Sequence, residues 1–152
     1  MRTQPSIEWI FRTLREAAWA PLLVLALFLA AVGFFDAYTR FPRLDKPTHF
    51  LGGLAVAYFF WCGWSQARAL TGHFPRVSQA AFAFGGTAAS AILWEIYEFL
   101  SDHFLATHMQ HGLEDTLSDV FFGLSGAAVY LLLRRSRAAT ARAQALSTPP
   151  DE

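Results

Sequence analysis

The stretch AAWAPLLVLALFLAAVGFF, residues 17–35, contains no charged side chain, and its reading decides the class of fold. About 20 consecutive apolar residues cross the hydrocarbon core of a bilayer as a helix, and this run is close to that length. Three further apolar stretches follow. Residues 49–64 carry no charge after His49, residues 77–99 hold Glu95 and Glu98 near their end, and residues 116–133 hold Asp119 near their start. Each is too long for a strand, and backbone in lipid must satisfy its own hydrogen bonds, so helices are the required form. Composition agrees: with 54% hydrophobic and 16% aromatic residues, the 152-residue chain is one domain long but more apolar than a usual soluble domain. The expectation is an all-α fold, an integral membrane four-helix bundle over residues 17–133.

Ahead of the first span, Ile7, Ile10, Phe11 and Leu14 recur at helical spacing, while Glu8, Arg12, Arg15 and Glu16 take other faces. This pattern predicts an N-terminal amphipathic helix in residues 1–16 that lies at the membrane interface, with Trp9 and Trp19 at headgroup depth. A cleaved signal peptide is the rival reading. It fits less well, because the apolar run exceeds the usual 7 to 15 residues and no A-x-A site follows. Residues 134–152 begin with Arg134-Arg135-Ser136-Arg137 and continue as a small-residue tail, expected to be cytoplasmic and disordered beyond about residue 145.

Twelve Lys and Arg balance twelve Asp and Glu, so no net charge points to nucleic acid; the distribution of charge is what informs. One side of the four spans holds Arg2, Arg12, Arg15, Arg68, Arg76, Arg134, Arg135, Arg137 and Arg142, and the other holds only Arg40, Arg43 and Lys46. The positive-inside rule then makes this a multi-pass inner (plasma) membrane protein with both termini cytoplasmic. The one cysteine, Cys62, lies in an apolar run and excludes an intrachain disulfide.

With that topology, three polar segments fall on the extracytoplasmic side: Asp45-Lys46-Pro47-Thr48-His49, then Glu95, Glu98 and Asp102, then Asp115 and Asp119. Glu95, Glu98 and Asp102 fall within about a 60° arc of one helix face, continued inward by Ala91 and Ala88. His49, Gly52 and Gly53 share a face, as do Asp115, Asp119, Gly123, Gly126 and Tyr130. Stripes of small residues let membrane helices approach closely, so the polar groups above them should meet in one pocket. The plainer reading of Asp45 and Asp115 is helix capping. Glu95 is harder to explain away, because it lies inside the boundary and near a helix C-terminus. It must be protonated, paired with Lys46, Arg40, Arg43 or His49, or bound to a cation.

His49, Glu95, Glu98 and Asp119 are the candidate catalytic residues, with His49 or Glu95 as general acid or base. If the last helix begins early, His108, His111, Asp115 and Asp119 line one face, and Asp115, Asp119 and His111 are then candidate ligands of a divalent metal ion. The spacing matches no strong metal signature. Exposed loop histidines are the commoner case.

The pattern Asp45-Lys46-x-x-His49-x-x-Gly52-Gly53, then Trp94-Glu95-x-x-Glu98-Phe99, then Asp115-Thr116-x-x-Asp119 with Gly123, Gly126 and Ala127 resembles the VanZ-like and YjdF-like small integral membrane proteins. A glutamine after the glutamate and an arginine before the last aspartate, features of the VanZ branch, are not evident, so the YjdF-like branch is the nearer resemblance. The resemblance implies a cell-envelope setting and assigns no chemistry. Three functions follow as expectations. The first is a pocket that binds or processes a polar or cationic group, such as a lipid headgroup or an envelope precursor. The others are a small proton- or ion-coupled transporter subunit and a non-catalytic membrane assembly partner. Expected partners are membrane lipid and a second copy or another membrane protein, not nucleic acid.

Overall fold

The structure, a computed structural model, describes residues 5–33, 40–72 and 75–147. Among them are five helices and no strand: α1 (Pro5–Ala17), α2 (Trp19–Gly33), α3 (Asp45–Thr71), α4 (Arg76–Leu105) and α5 (Leu113–Ser147), with a single 3-10 turn, Pro42–Leu44, ahead of α3. The all-helical class is the one the apolar runs predict.

The helix ends follow local chemistry. Pro21 has no amide to donate to the carbonyl four residues back, so the ladder is interrupted at the α1–α2 junction, where the two helices bend by 49°. Pro47 sits in the first turn of α3, where an amide would lack a helical partner anyway. Gly72 closes α3 at a φ of 77°, its amide bonding the carbonyl of Arg68 at 2.9 Å. Ala106, left-handed at φ 52°, ends α4, and Gly112 at φ 109° precedes α5. The last helix continues past the apolar run that ends at residue 133, through the arginines to Ser147. Alanine and arginine are strong helix formers, and no glycine or proline interrupts them before Pro149.

Neighbouring contacts set the directions. Trp19 lies against Tyr58 and Phe28 against Trp94, so α2 runs antiparallel to α3 and parallel to α4. Phe60 meets Phe82 while His49 meets Glu95, which makes α3 and α4 antiparallel. Lys46 faces Asp119 and Trp61 faces Arg134, so α3 and α5 run parallel. Up-down alternation follows. It brings the start of α3, the end of α4 and the start of α5 to one end of the bundle.

Packing is inverted relative to a soluble core. Among the described residues the buried apolar ones are alanines, including Ala55, Ala57, Ala83 and Ala127, whereas Leu22, Leu93, Phe121 and Leu132 are all more than half exposed. A water-soluble domain buries its large apolar side chains first. Backbones approach instead through glycine: a Cβ at Gly53 would fall on the carbonyl oxygen of Gly123, and one at Gly126 on that of Phe50. The face of α1 that packs is likewise the one with small residues, Thr13 and Ala17, with Thr13 lying beside Gly63 of α3. The Ile7, Ile10, Phe11 and Leu14 stripe is left exposed.

By length and apolar composition, one helix among the described residues, over Leu113–Thr140, suffices to cross a membrane. The bent pair Ile7–Ala17 and Trp19–Gly33 qualifies together as a second. α3 and α4 do not pass that test. Both are long, at 27 and 30 residues, but Ser, Gln, Thr and Gly dilute their apolar content.

Candidate functional site

Lys46, at the first turn of α3, is the hub. Its Nζ donates to Asp115 Oδ1 at 2.5 Å, to Asp119 Oδ1 at 2.7 Å and to the neighbouring Asp45 Oδ2 at 3.2 Å. Asp119 is 1% exposed, so its charge depends on a partner. The approach of α3 to α5 at Gly53 and Gly123, two turns deeper, is what brings the lysine within reach of both α5 acids. Burial alone would push the Lys46 ammonium down, but its hydrogen bonds to Asp115, Asp119 and Asp45 outweigh that and hold it above its ordinary range. Asp45 moves the other way: burial pushes its carboxyl up, the adjacent His49 and Lys46 more than offset this, and the result is about 2.

His49 lies one helical turn beyond Asp45. Its Nε2 is 3.4 Å from Asp45 Oδ1 and 3.7 Å from Asp119 Oδ1, while Nδ1 on the other side of the ring is 4.0 Å from Glu95 Oε1. Glu95 is 6% exposed, and its Oε2 has no hydrogen-bond partner among the described residues. Glu98, equally buried, accepts a hydrogen bond from the Trp94 indole at 2.8 Å. The four residues expected to carry chemistry, His49, Glu95, Glu98 and Asp119, therefore lie around one point at the end of the bundle.

Two expectations come out differently. Asp102 does not face the pocket; it accepts from Thr107 Oγ1 at 2.5 Å and from the amides of Met109 and Gln110, each at 2.8 Å, and so ties down the loop between α4 and α5. Those bonds, from Met109 first, then Thr107 and Gln110, hold its carboxyl below the ordinary range. The histidine face of an early-starting last helix does not form, because α5 starts only at Leu113, after Gly112. His111 reaches Asp115 Oδ2 at 3.5 Å from an exposed position, while Asp119 turns to Lys46 and His49. Of the partners open to Glu95, His49 is the one that it faces, while the Lys46 ammonium goes to the aspartates.

Below His49 lies a cavity of about 260 Å³ between α2, α3 and α4. Val24, Leu25 and Phe28 of α2 close one wall, Val56 and Gly52 belong to α3, and Thr87, Ser90 and Trp94 of α4 line the remainder; Asp45, Thr48 and His49 form its polar end. Sequence reasoning named the acids and the histidine. It named Lys46 only as a possible partner of Glu95, and it missed Lys46 as the common partner of Asp45, Asp115 and Asp119, the Trp94–Glu98 bond and the contribution of α2 to the cavity wall. For Lys46 a signal existed, since a lysine between acids at the mouth of a helix bundle is the natural counter-charge. The cavity left no sequence signal, because a gap between helices belongs to none of them.

A family described as "Predicted membrane protein (DUF2238)" matches residues 6–139. An "Uncharacterized protein" of Thermotoga maritima is 33% identical over 108 residues, which is 69% of this chain and 55% of that protein; the chain thus spans about half the length of this relative. No solved structure matches. The family match takes in the apolar helices, Lys46 and every acid around it, and by it the chain belongs to the DUF2238 family of predicted membrane proteins.

Proposed function

We propose that this chain is a four-span inner-membrane protein, of the YjdF-like branch of VanZ-like proteins, whose extracytoplasmic pocket binds an amphiphile. The apolar chain of the ligand occupies the cavity, and its polar or cationic head meets Asp45, His49 and the acids beyond. The observation that carries this is the cavity itself, apolar along α2 and α3 and ending at a charged cluster. Ligand pockets are mostly apolar, with a few placed polar groups. The exposed leucines and phenylalanines support the membrane setting, and the nine-to-three division of basic residues supports cytoplasmic termini. The test is native mass spectrometry of the detergent-purified protein. Wild type is expected to retain a bound amphiphile, and Val56→Trp, which fills the cavity, to lose it without a fall in melting temperature. Wild type free of any amphiphile, or equal retention by both proteins, overturns the reading.

A second reading, a proton- or ion-coupled transporter subunit, is favoured by one observation: a buried Glu95 oxygen without a donor among the described residues, on a side chain beside a histidine. Such pairs mark proton paths in membrane proteins. In that case Glu95→Gln abolishes proton-coupled flux in vesicles and leaves amphiphile retention unchanged.

A further inference from the structure

We infer that Asp45, His49 and Asp119 form a site for a divalent transition-metal ion of the zinc class, with Glu95 as a positioning residue behind the imidazole. The inference stands on the charged cluster and does not need a ligand in the cavity.

Donor spacing is the first argument. Zinc holds N and O donors at about 2.0–2.2 Å, which sets neighbouring donors in a tetrahedral shell about 3.3–3.6 Å apart. His49 Nε2 is 3.4 Å from Asp45 Oδ1 and 3.7 Å from Asp119 Oδ1, and one donor atom from each of the three residues lies within 4.8 Å of the others. Two of the ligands come from a single helix at i and i+4, which places them on one face. The third is delivered by the glycine contact between α3 and α5.

The unsatisfied carboxylate of Glu95 bears on the same site. A metal-bound histidine almost always donates its other ring N–H to a carboxylate or carbonyl, which sets the tautomer and the ring orientation. Here Nε2 faces the two aspartates, and Nδ1 is 4.0 Å from Oε1 of Glu95, a residue 6% exposed whose other oxygen, Oε2, has no hydrogen-bond partner among the described residues. A cation at Nε2 completes the sequence metal, imidazole, carboxylate.

Lys46 explains how the acids stay together before metal binds. Asp45 divides its oxygens, Oδ2 toward Lys46 and Oδ1 toward His49. Asp119 Oδ1 faces both Lys46 and His49, so the lysine competes with the ion for this one carboxylate. The donor set also differs from the Asp115, Asp119 and His111 grouping suggested by sequence, in which His111 is an exposed loop residue. One imidazole and two carboxylates leave a fourth position toward the cavity mouth, where Asp45 and His49 already form the lining.

The experiment titrates chelator-treated, detergent-purified protein with Co²⁺ and with Zn²⁺, following the visible Co²⁺ spectrum and the metal content by mass spectrometry. One ion per chain is expected. His49→Ala and Asp119→Asn should weaken it more than about 100-fold, and Glu95→Gln by about 10–100-fold; His111→Ala should leave it unchanged. Lys46→Gln should tighten binding about tenfold or more, because it removes a positive charge beside the ion. Intact folding is checked by circular dichroism, and Glu95→Gln and Asp119→Asn keep side-chain shape where His49→Ala does not. Absence of stoichiometric binding overturns the inference. So does binding that survives His49→Ala, depends on His111, or weakens with Lys46→Gln.

Discussion

Gly53 of α3 and Gly123 of α5 meet backbone to backbone, so that a methyl group at position 53 would coincide with the Gly123 carbonyl oxygen. The parallel pairing of these helices rests on that contact and on Gly126, where an added Cβ would meet the Phe50 carbonyl and lie 2.9 Å from the Leu54 amide nitrogen. Because the obstruction is backbone, no rotamer change relieves it.

Gly53→Leu and Gly126→Leu are accordingly expected to lower stability by about 1–3 kcal/mol or more, the usual cost of overpacking. Gly85 is the control. Among the described residues nothing lies within 4 Å of a Cβ there, so Gly85→Ala should be neutral or stabilising by up to about 1 kcal/mol through helix propensity. Thermal unfolding in detergent compares the three; equal melting temperatures for all would show that α3 and α5 do not meet at these glycines.

Lys46 holds three aspartates and is itself about a quarter exposed. Removing one member of a buried ionic group leaves uncompensated charge, a loss of about 3 kcal/mol. Without metal, Lys46→Gln should therefore unfold more easily than wild type. A saturating divalent ion should restore much of the difference, since a ligand that binds the folded state stabilises it. A variant as stable as wild type in the presence of chelator would remove Lys46 from the centre of the cluster.

Acid should loosen the loop between α4 and α5 before it affects the helices. The Asp102 carboxyl is held below its ordinary value of 3.8 by the Met109, Thr107 and Gln110 donors. A depressed folded-state value means that the stabilisation is complete above the unfolded value and is lost as pH falls through the folded one. Amide NMR signals of Met109 and Gln110 should titrate with a midpoint below 3.8. Asp102→Asn should abolish that titration, and a midpoint at or above the ordinary value would contradict the tether.

Topology is tested by reporters. One fused after Ala145 should read as cytoplasmic and one inserted beside Thr107 as extracytoplasmic, because basic residues concentrate at the end of the bundle opposite the acid cluster. The same side for both would remove the four-span arrangement.

The sequence by itself determined the helices and the groups that need company. Uncharged apolar runs permit only helix in lipid, the glycine and alanine stripes mark the faces that approach, and Glu95 in an apolar helix has to find a partner. Those are properties of single segments, readable at a period of 3.6 residues. Which partner each acid takes was left to tertiary structure. Lys46 lies 69 residues from Asp115 and 73 from Asp119, and only the closeness of α3 to α5 selects these aspartates over Glu95. Asp102 shares the helix face of Glu98, yet the loop after Ala106 folds back and claims its oxygens. The cavity likewise exists only once three helices have packed, since its volume is what their side chains fail to fill.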